Sequence, residues 1–212
     1  MPPVVQHTFK VVVLGEGHAG KTSLVVRYVQ GTFNDARKAT VQASFLTKHL
    51  DIDGSQVELA IWDTAGQERY HSLAPIYFRD AHAALIVFDI TDADSFTRAK
   101  SWVKELRTMV GPGILLAIAA NKQDLDRDRT VPDADSKAYA QSIGASHLQT
   151  SAKTGLGLEE AFEEMAARVL QQHNAAAATQ QQAAKYLPGR RQGTMRLADE
   201  ATRPPPKRSA CC

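Results

Sequence analysis

The sequence predicts an α/β fold: a six-stranded, mostly parallel sheet with one antiparallel strand and helices on both faces. Three observations carry that prediction. Strand-like apolar runs alternate with helix-periodic stretches from Thr8 to Gln171, the pattern of a parallel sheet covered on both sides. Asp53-Gly54, the dipeptide that most favours a tight hairpin, separates two extended runs that should therefore pair antiparallel. About 170 residues suffice for one core burying ~70% of the unfolded-chain surface.

The elements follow in order. Thr8 to Leu14 is an apolar run ending at a glycine, and Lys21 to Gln30 carries Leu24, Val25 and Tyr28 at helical spacing. Ser44 to Ile52 and Gln56 to Asp63 form the hairpin. Ala83 to Ile90 is a nearly continuous apolar strand, followed by a helix over Ser95 to Val110 and a strand over Ile114 to Ala120. A helix over Pro132 to Ser142, a short strand over His147 to Thr150 and a helix over Leu158 to Gln171 complete the domain, expected over residues 1–172. Beyond Gln171 the composition turns to Ala and Gln, then to Pro, Gly and basic residues without apolar periodicity. Residues 173–212 are expected to be a disordered tail, apart from a turn or two of helix at Ala175 to Ala178.

The formal net charge of +2 conceals a division: residues 171–212 hold seven Lys or Arg against two acids, and the other 18 basic and 21 acidic side chains leave the domain at −3. The only cysteines, Cys211 and Cys212, are adjacent at the end of the chain, which excludes a disulfide-stapled core and a zinc site built on spaced cysteine pairs. The seven histidines show no ligand spacing. No apolar run approaches the ~20 residues of a membrane span, and the N-terminal stretch lacks a secretory apolar core, so a cytosolic protein is expected.

The sharpest local motif is Gly15-Glu16-Gly17-His18-Ala19-Gly20-Lys21-Thr22, which fits G-x-x-x-x-G-K-[ST] between a predicted strand and a predicted helix. Its glycines let backbone N–H groups turn toward phosphate oxygens, the helix N-terminus adds positive potential, and Lys21 reaches the terminal phosphates. The Thr22 hydroxyl is placed to ligate Mg²⁺. The base is read elsewhere, by Asn121-Lys122-Gln123-Asp124 after the fifth strand. Guanine presents two adjacent donors that an ionised Asp124 can accept together, whereas adenine offers an acceptor at N1 and nothing at C2. Ser151-Ala152-Lys153, after the sixth strand, is positioned to give a backbone N–H to the guanine oxygen, and the stems of Lys122 and Lys153 can lie along the ring faces. Asp63-Thr64-Ala65-Gly66-Gln67 follows the third strand. There Asp63 would orient Mg²⁺ through water, Gly66 would bring its N–H to the γ-phosphate, and Gln67 would position the attacking water. Thr40, in the loop after the first helix, would close over the metal when a γ-phosphate is present.

GEGHAGKT, Thr40, WDTAGQE, NKQD and SAK, in that order, resemble the Ras superfamily of small GTPases over residues 8–172, and hence a P-loop G domain. Within it the chain resembles the Rab family, through Trp62 before DTAGQE, the run from Glu68 to Asp80, and the Cys-Cys end. Thr40 to Lys48 looks closest to the early-endosomal branch, particularly the Rab twenty-one subgroup. The resemblance implies that Gly15, Gly17, His18, Ala19, Gly20, Lys21, Thr22 and Ser23 hold the phosphates and that Phe33 lies against the base. It implies Thr22 and Thr40 on Mg²⁺ and Gln67 in hydrolysis. Phe45, Trp62 and Tyr77 match the aromatic triad shown to effectors, although a plain core role for Trp62 stays open. Cys211 and Cys212 would carry geranylgeranyl groups. The implied partners are an exchange factor, a GTPase-activating protein, a GDP dissociation inhibitor, an escort protein, effectors and the cytoplasmic face of endosomal membranes. The protein should be a monomer that binds no nucleic acid. A nucleotide-locked adaptor is the rival from another class, and an ATP-dependent kinase is opposed by NKQD with SAK.

Overall fold

In the computed structural model, which describes residues 6–36, 40, 43–64 and 77–186, Val11, Val12 and Val13 are wholly shut off from solvent. They lie on β1 (Gln6–Leu14), which is flanked by two parallel neighbours, β3 (Ser55–Asp63) and β4 (Ala83–Asp89). A strand buried on both faces and both edges must be apolar throughout, as this run is. β5 (Leu115–Asn121) and β6 (Ser146–Gln149) extend the sheet in parallel beyond β4, and β2 (Ser44–Ile52) adds antiparallel to β3. The order is β2-β3-β1-β4-β5-β6, the six-stranded, mostly parallel sheet with one antiparallel strand that the sequence predicts.

Local chemistry explains the elements. β2 alternates between partly buried and exposed residues, as an edge strand should, whereas every residue of β4 and β5 is buried. Ile52 pairs with Ser55, leaving Asp53 and Gly54 as a two-residue loop with φ of 52° and 79°, the left-handed pair that suits a hairpin twist. The helices α1 (Lys21–Gln30), α2 (Ala93–Val110), α3 (Asp133–Ser142) and α4 (Leu158–Tyr186) cover both faces. Because side chains alternate along a strand, Phe9, Val11 and Val13 pack with Leu24 and Tyr28 of α1 and Phe162 of α4. Val12 and Leu14 face the other way, toward Phe96, Ala99 and Val103 of α2 and Ala140 of α3.

Two features differ from the sequence expectation. A 3₁₀ segment over Gln123–Asp128 follows β5, entered through Lys122 in a left-handed conformation. The last helix also runs to Tyr186 rather than Gln171, into the stretch expected as tail. Residues 171–176 are exposed, but His173 meets the rings of His7 at 5.2 Å and Phe9 at 5.8 Å, and alanine and glutamine, strong helix formers, favour continuing the helix from there. By contacts the chain divides into Met1–Ala175, which contains the sheet, and Ala176–Cys212, of which the helical residues 176–186 are described.

Candidate nucleotide site

The loop between β1 and α1 is built by backbone constraints that only glycine meets. Gly15 has φ 140°, and a Cβ there would stand 2.1 Å from the Val87 carbonyl oxygen of β4. Gly20 has φ 90°, and its Cβ would collide with the Asn121 amide at 2.5 Å. The loop therefore lies flat on the ends of β4 and β5. His18, also at positive φ, points into solvent, while Ala19 is buried. Lys21 opens α1, followed by Thr22 and Ser23.

Lys21 is only 5% exposed, and its ammonium donates to the carbonyls of Gly15 at 2.9 Å and Glu16 at 2.8 Å. Burial pushes its pKa down to about 8, against the opposing pull of the Asp63 and Glu16 carboxylates. A desolvated cation coiled back over a loop of inward-turned glycines is poised for an anion, and polyphosphate would supply the charge that burial removes.

The Thr22 and Thr40 hydroxyls meet at 2.5 Å, and fully buried Asp63 accepts from the Ser44 hydroxyl at 3.4 Å. Among the described residues no group of three or more His, Cys, Asp or Glu could hold a metal. Two hydroxyls with a nearby carboxylate, sharing a hard cation with phosphate oxygens and water, fit Mg²⁺, which needs few protein ligands. Thr64 donates to the Val13 carbonyl at 2.8 Å, fixing the end of β3. Gly66 and Gln67 lie outside the described residues.

At the base end, Asn121 turns inward. Its amide donates to the Ala19 carbonyl at 2.8 Å, and its oxygen accepts from Ala152 N–H at 3.2 Å and the Thr150 hydroxyl at 3.3 Å. It thus ties the loop between β1 and α1 to the loop after β6. Asp124 accepts from the Ser151 hydroxyl at 2.5 Å, which orients its carboxylate while leaving its second oxygen's lone pairs for a ligand. Ser151 and Ala152 are buried and Lys153 is exposed. Phe33 is half-buried and packs on the α1 side of the core. One contributor escaped the motif reading: Asp89, at the end of β4, pairs with the Lys122 ammonium at 2.5 Å. Its other carboxylate oxygen accepts from Thr91 N–H and hydroxyl. A partner 33 positions away carries no local signal beyond an acid at a strand end.

The glycine loop with Lys21, the Asp124 carboxylate and the clamping Asn121 thus converge at the C-terminal edge of one parallel sheet, where α/β folds collect ligands. The model of the Ras family matches residues 10–171. The chain belongs to the Ras family. Within it, the chain is 56% identical over 162 residues to Ras-related protein Rab-21 of Geodia cydonium, covering 76% of this chain and 71% of that one. To the Homo sapiens protein of the same name it is 55% identical over 165 residues, 78% of this chain and 73% of the relative. The Dictyostelium discoideum relative matches at 53%, with 78% of each chain covered. The protein is therefore a Rab21-like Rab GTPase, a GTP hydrolase that binds guanine nucleotide and acts with regulators and effectors in membrane trafficking.

On this Rab GTPase, Phe45, Trp62 and Tyr77 form a chain of rings: Phe45 meets Trp62 edge-on at 5.4 Å, and Trp62 meets Tyr77 at 6.2 Å. Phe45 is 53% exposed, Trp62 and Tyr77 partly so, and the Lys10 ammonium lies 4.8 Å from the Trp62 ring. Trp62 and Tyr77 also pack against the core on the α2 side, while Phe45 stands out from it. No helix among the described residues is long and apolar enough to cross a membrane, and Cys211 and Cys212 lie outside them.

Proposed function

We propose that the protein is a GTP/GDP switch for vesicle-mediated, early-endosomal membrane trafficking, working from the nucleotide site described above. The observation that carries the reading is the junction of Asp124, Ser151 and Asn121 with the loop holding Lys21: one cluster bears both a guanine acceptor pair and a phosphate cradle. Asp124 selects the purine by accepting from N1–H and the 2-amino group. Lys21 leaves its carbonyl partners for the β- and γ-phosphates, and Gly15, Gly17, His18, Ala19, Gly20, Thr22 and Ser23 line them. Lys122 and Lys153 flank the base, with Phe33 at its edge.

Thr22 and Thr40 would hold Mg²⁺, with Asp63 as the carboxylate behind them, and the ion would supply charge neutralisation along the phosphates. Gln67 orients a water whose oxygen attacks the γ-phosphorus as the bond to the β–γ bridging oxygen breaks, giving GDP and phosphate. Both protons of the attacking water end on the phosphate product, one on the attacking oxygen and one on a former γ-phosphate oxygen. The intrinsic reaction is slow, and an activating protein supplies an arginine, worth ~10³ to 10⁵ in rate among related GTPases. Loss of the γ-phosphate releases Thr40 and Gly66, and with them the surface around Phe45, Trp62 and Tyr77 that effectors read.

The tail completes the proposal. Geranylgeranyl groups on Cys211 and Cys212, at ~0.8 kcal/mol per buried CH₂, anchor durably where one chain alone would not, and basic residues near the end favour anionic lipid. An exchange factor, an activating protein, a GDP dissociation inhibitor and an escort protein then cycle a monomer between the cytosol and the cytoplasmic face of endosomes. The test is imaging of the tagged protein: Gln67→Leu should concentrate on endosomes and Thr22→Asn should disperse. An identical distribution of both forms away from endosomal markers would overturn the reading.

A further inference from the structure

Glu16 is an acidic residue inside a loop that must hold a polyphosphate. Its carbonyl is one of the two that Lys21 grips, so the residue belongs to the wall of the cradle. Its carboxylate, 17% exposed, is met at 2.8 Å by a guanidinium nitrogen of Arg98, on the second turn of α2 and 51% exposed. Without Arg98, that carboxylate would oppose bound phosphates, and only Lys21 among the side chains would hold the loop on this side.

The neighbourhood gives the pair a larger setting. The start of α2 is fixed tightly: Asp92 caps it by accepting from the N–H groups of Asp94 at 2.9 Å and Ser95 at 3.2 Å. Ser95 in turn accepts from Asp89 N–H at 2.9 Å and donates to the Asp92 carbonyl at 2.7 Å. Asp89 takes the Lys122 ammonium from the base loop. The first two turns of α2 therefore touch both halves of the site, the base side through Asp89 and the phosphate side through Arg98. Neither ion pair joins residues near in sequence.

We infer that Arg98 is a positioning residue for nucleotide retention, acting through Glu16: their ion pair cancels a carboxylate that would otherwise oppose the phosphates and fastens the phosphate loop to α2. Arg98 touches no reacting atom. The consequence is a brake on nucleotide release set from α2, so that a protein which draws Arg98 off Glu16 would speed release without entering the cradle. The inference rests on the phosphate-loop reading of Gly15 to Thr22.

The experiment measures dissociation of fluorescent GDP from the full-length protein at low and high salt. Variants are Arg98→Gln, Arg98→Lys, Glu16→Gln, the double variant Arg98→Gln with Glu16→Gln, and Lys21→Ala. Arg98→Gln should release GDP roughly threefold to tenfold faster. Arg98→Lys should recover much of the loss, and the double variant should return most of the way to the parent, because removing the opposing charge removes the repulsion. The gap between Arg98→Gln and the parent should narrow in high salt. An unchanged rate in Arg98→Gln, or a double variant as fast as or faster than the single one, overturns the inference. Lys21→Ala separates the two readings: if it still binds GDP as the parent does, the phosphate-loop assignment itself fails, whereas loss of binding there with an unchanged Arg98→Gln rejects only the role of Arg98.

Discussion

On the proposed reading, single atoms decide the nucleotide. Asp124 is an acceptor pair steered by the Ser151 hydroxyl at 2.5 Å. Asp124→Asn turns one acceptor into a donor, which suits the N1–H and 2-oxo group of xanthine. Nucleotide preference should move from guanine to xanthine, and unchanged GTP affinity in a competition titration would remove Asp124 from the base site. Lys21 makes the same point by charge: held 5% exposed, with its pKa pushed down to about 8 by burial, it is a cation awaiting an anion. Lys21→Ala should therefore lower nucleotide affinity by at least tenfold, a loss of about 1.4 kcal/mol or more, while raising rather than lowering the melting temperature of the nucleotide-free protein. A melting temperature that falls in that variant would mean that the lysine is there for the fold.

At the scale of elements, the sheet delivers these residues, and what the sequence disclosed depends on how local each signal is. The phosphate loop, NKQD and SAK are contiguous, so their presence after strands could be read directly. The hairpin likewise followed from Asp53-Gly54. The clamp of Asn121 on Ala19 spans 102 positions, and the pairs Asp89–Lys122 and Arg98–Glu16 join separate elements, so only the strand order brings them together. The extent of α4 was missed because apolar periodicity signals neither helix propensity nor the contact of a polar ring such as His173 with His7 and Phe9.

Packing at this scale also sets stability. Phe162 of α4 is fully buried and stacked on Tyr28 of α1, with ring centres 4.1 Å apart. Phe162→Ala should cost about 3–5 kcal/mol in denaturant unfolding of the protein. His147 of β6 supplies a pH dependence. Burial lowers its pKa from 6.5, with Lys137 and Arg129 adding to that and Asp133 of α3 opposing it, and its Nε2 sits 2.9 Å from the Ser136 hydroxyl. The unfolded chain then binds the proton first, so stability is lost as pH falls from about 6.5 toward the lower folded value. Urea melts at pH 7.5 and 5.5 should show a smaller acid loss in His147→Gln than in the parent; an equal loss would acquit His147.

For the whole molecule, charge divides labour between a domain at −3 and a terminal segment of 42 residues at +5, by count of its ionisable side chains. The domain carries the nucleotide chemistry, and the proposed role of the tail is attachment. Deleting Cys211 and Cys212 should leave GTP binding intact and abolish recovery with membranes on cell fractionation; a truncated protein that still sediments with membranes would refute the lipid anchor. The central claim, that guanine nucleotide is hydrolysed to throw a switch, is tested most directly by single-turnover phosphate release from purified protein loaded with GTP. The account predicts slow release of one phosphate per protein, accelerated by a cognate activating protein and lost in Lys21→Ala. No cleavage above the protein-free control, even with that activator present, would contradict it.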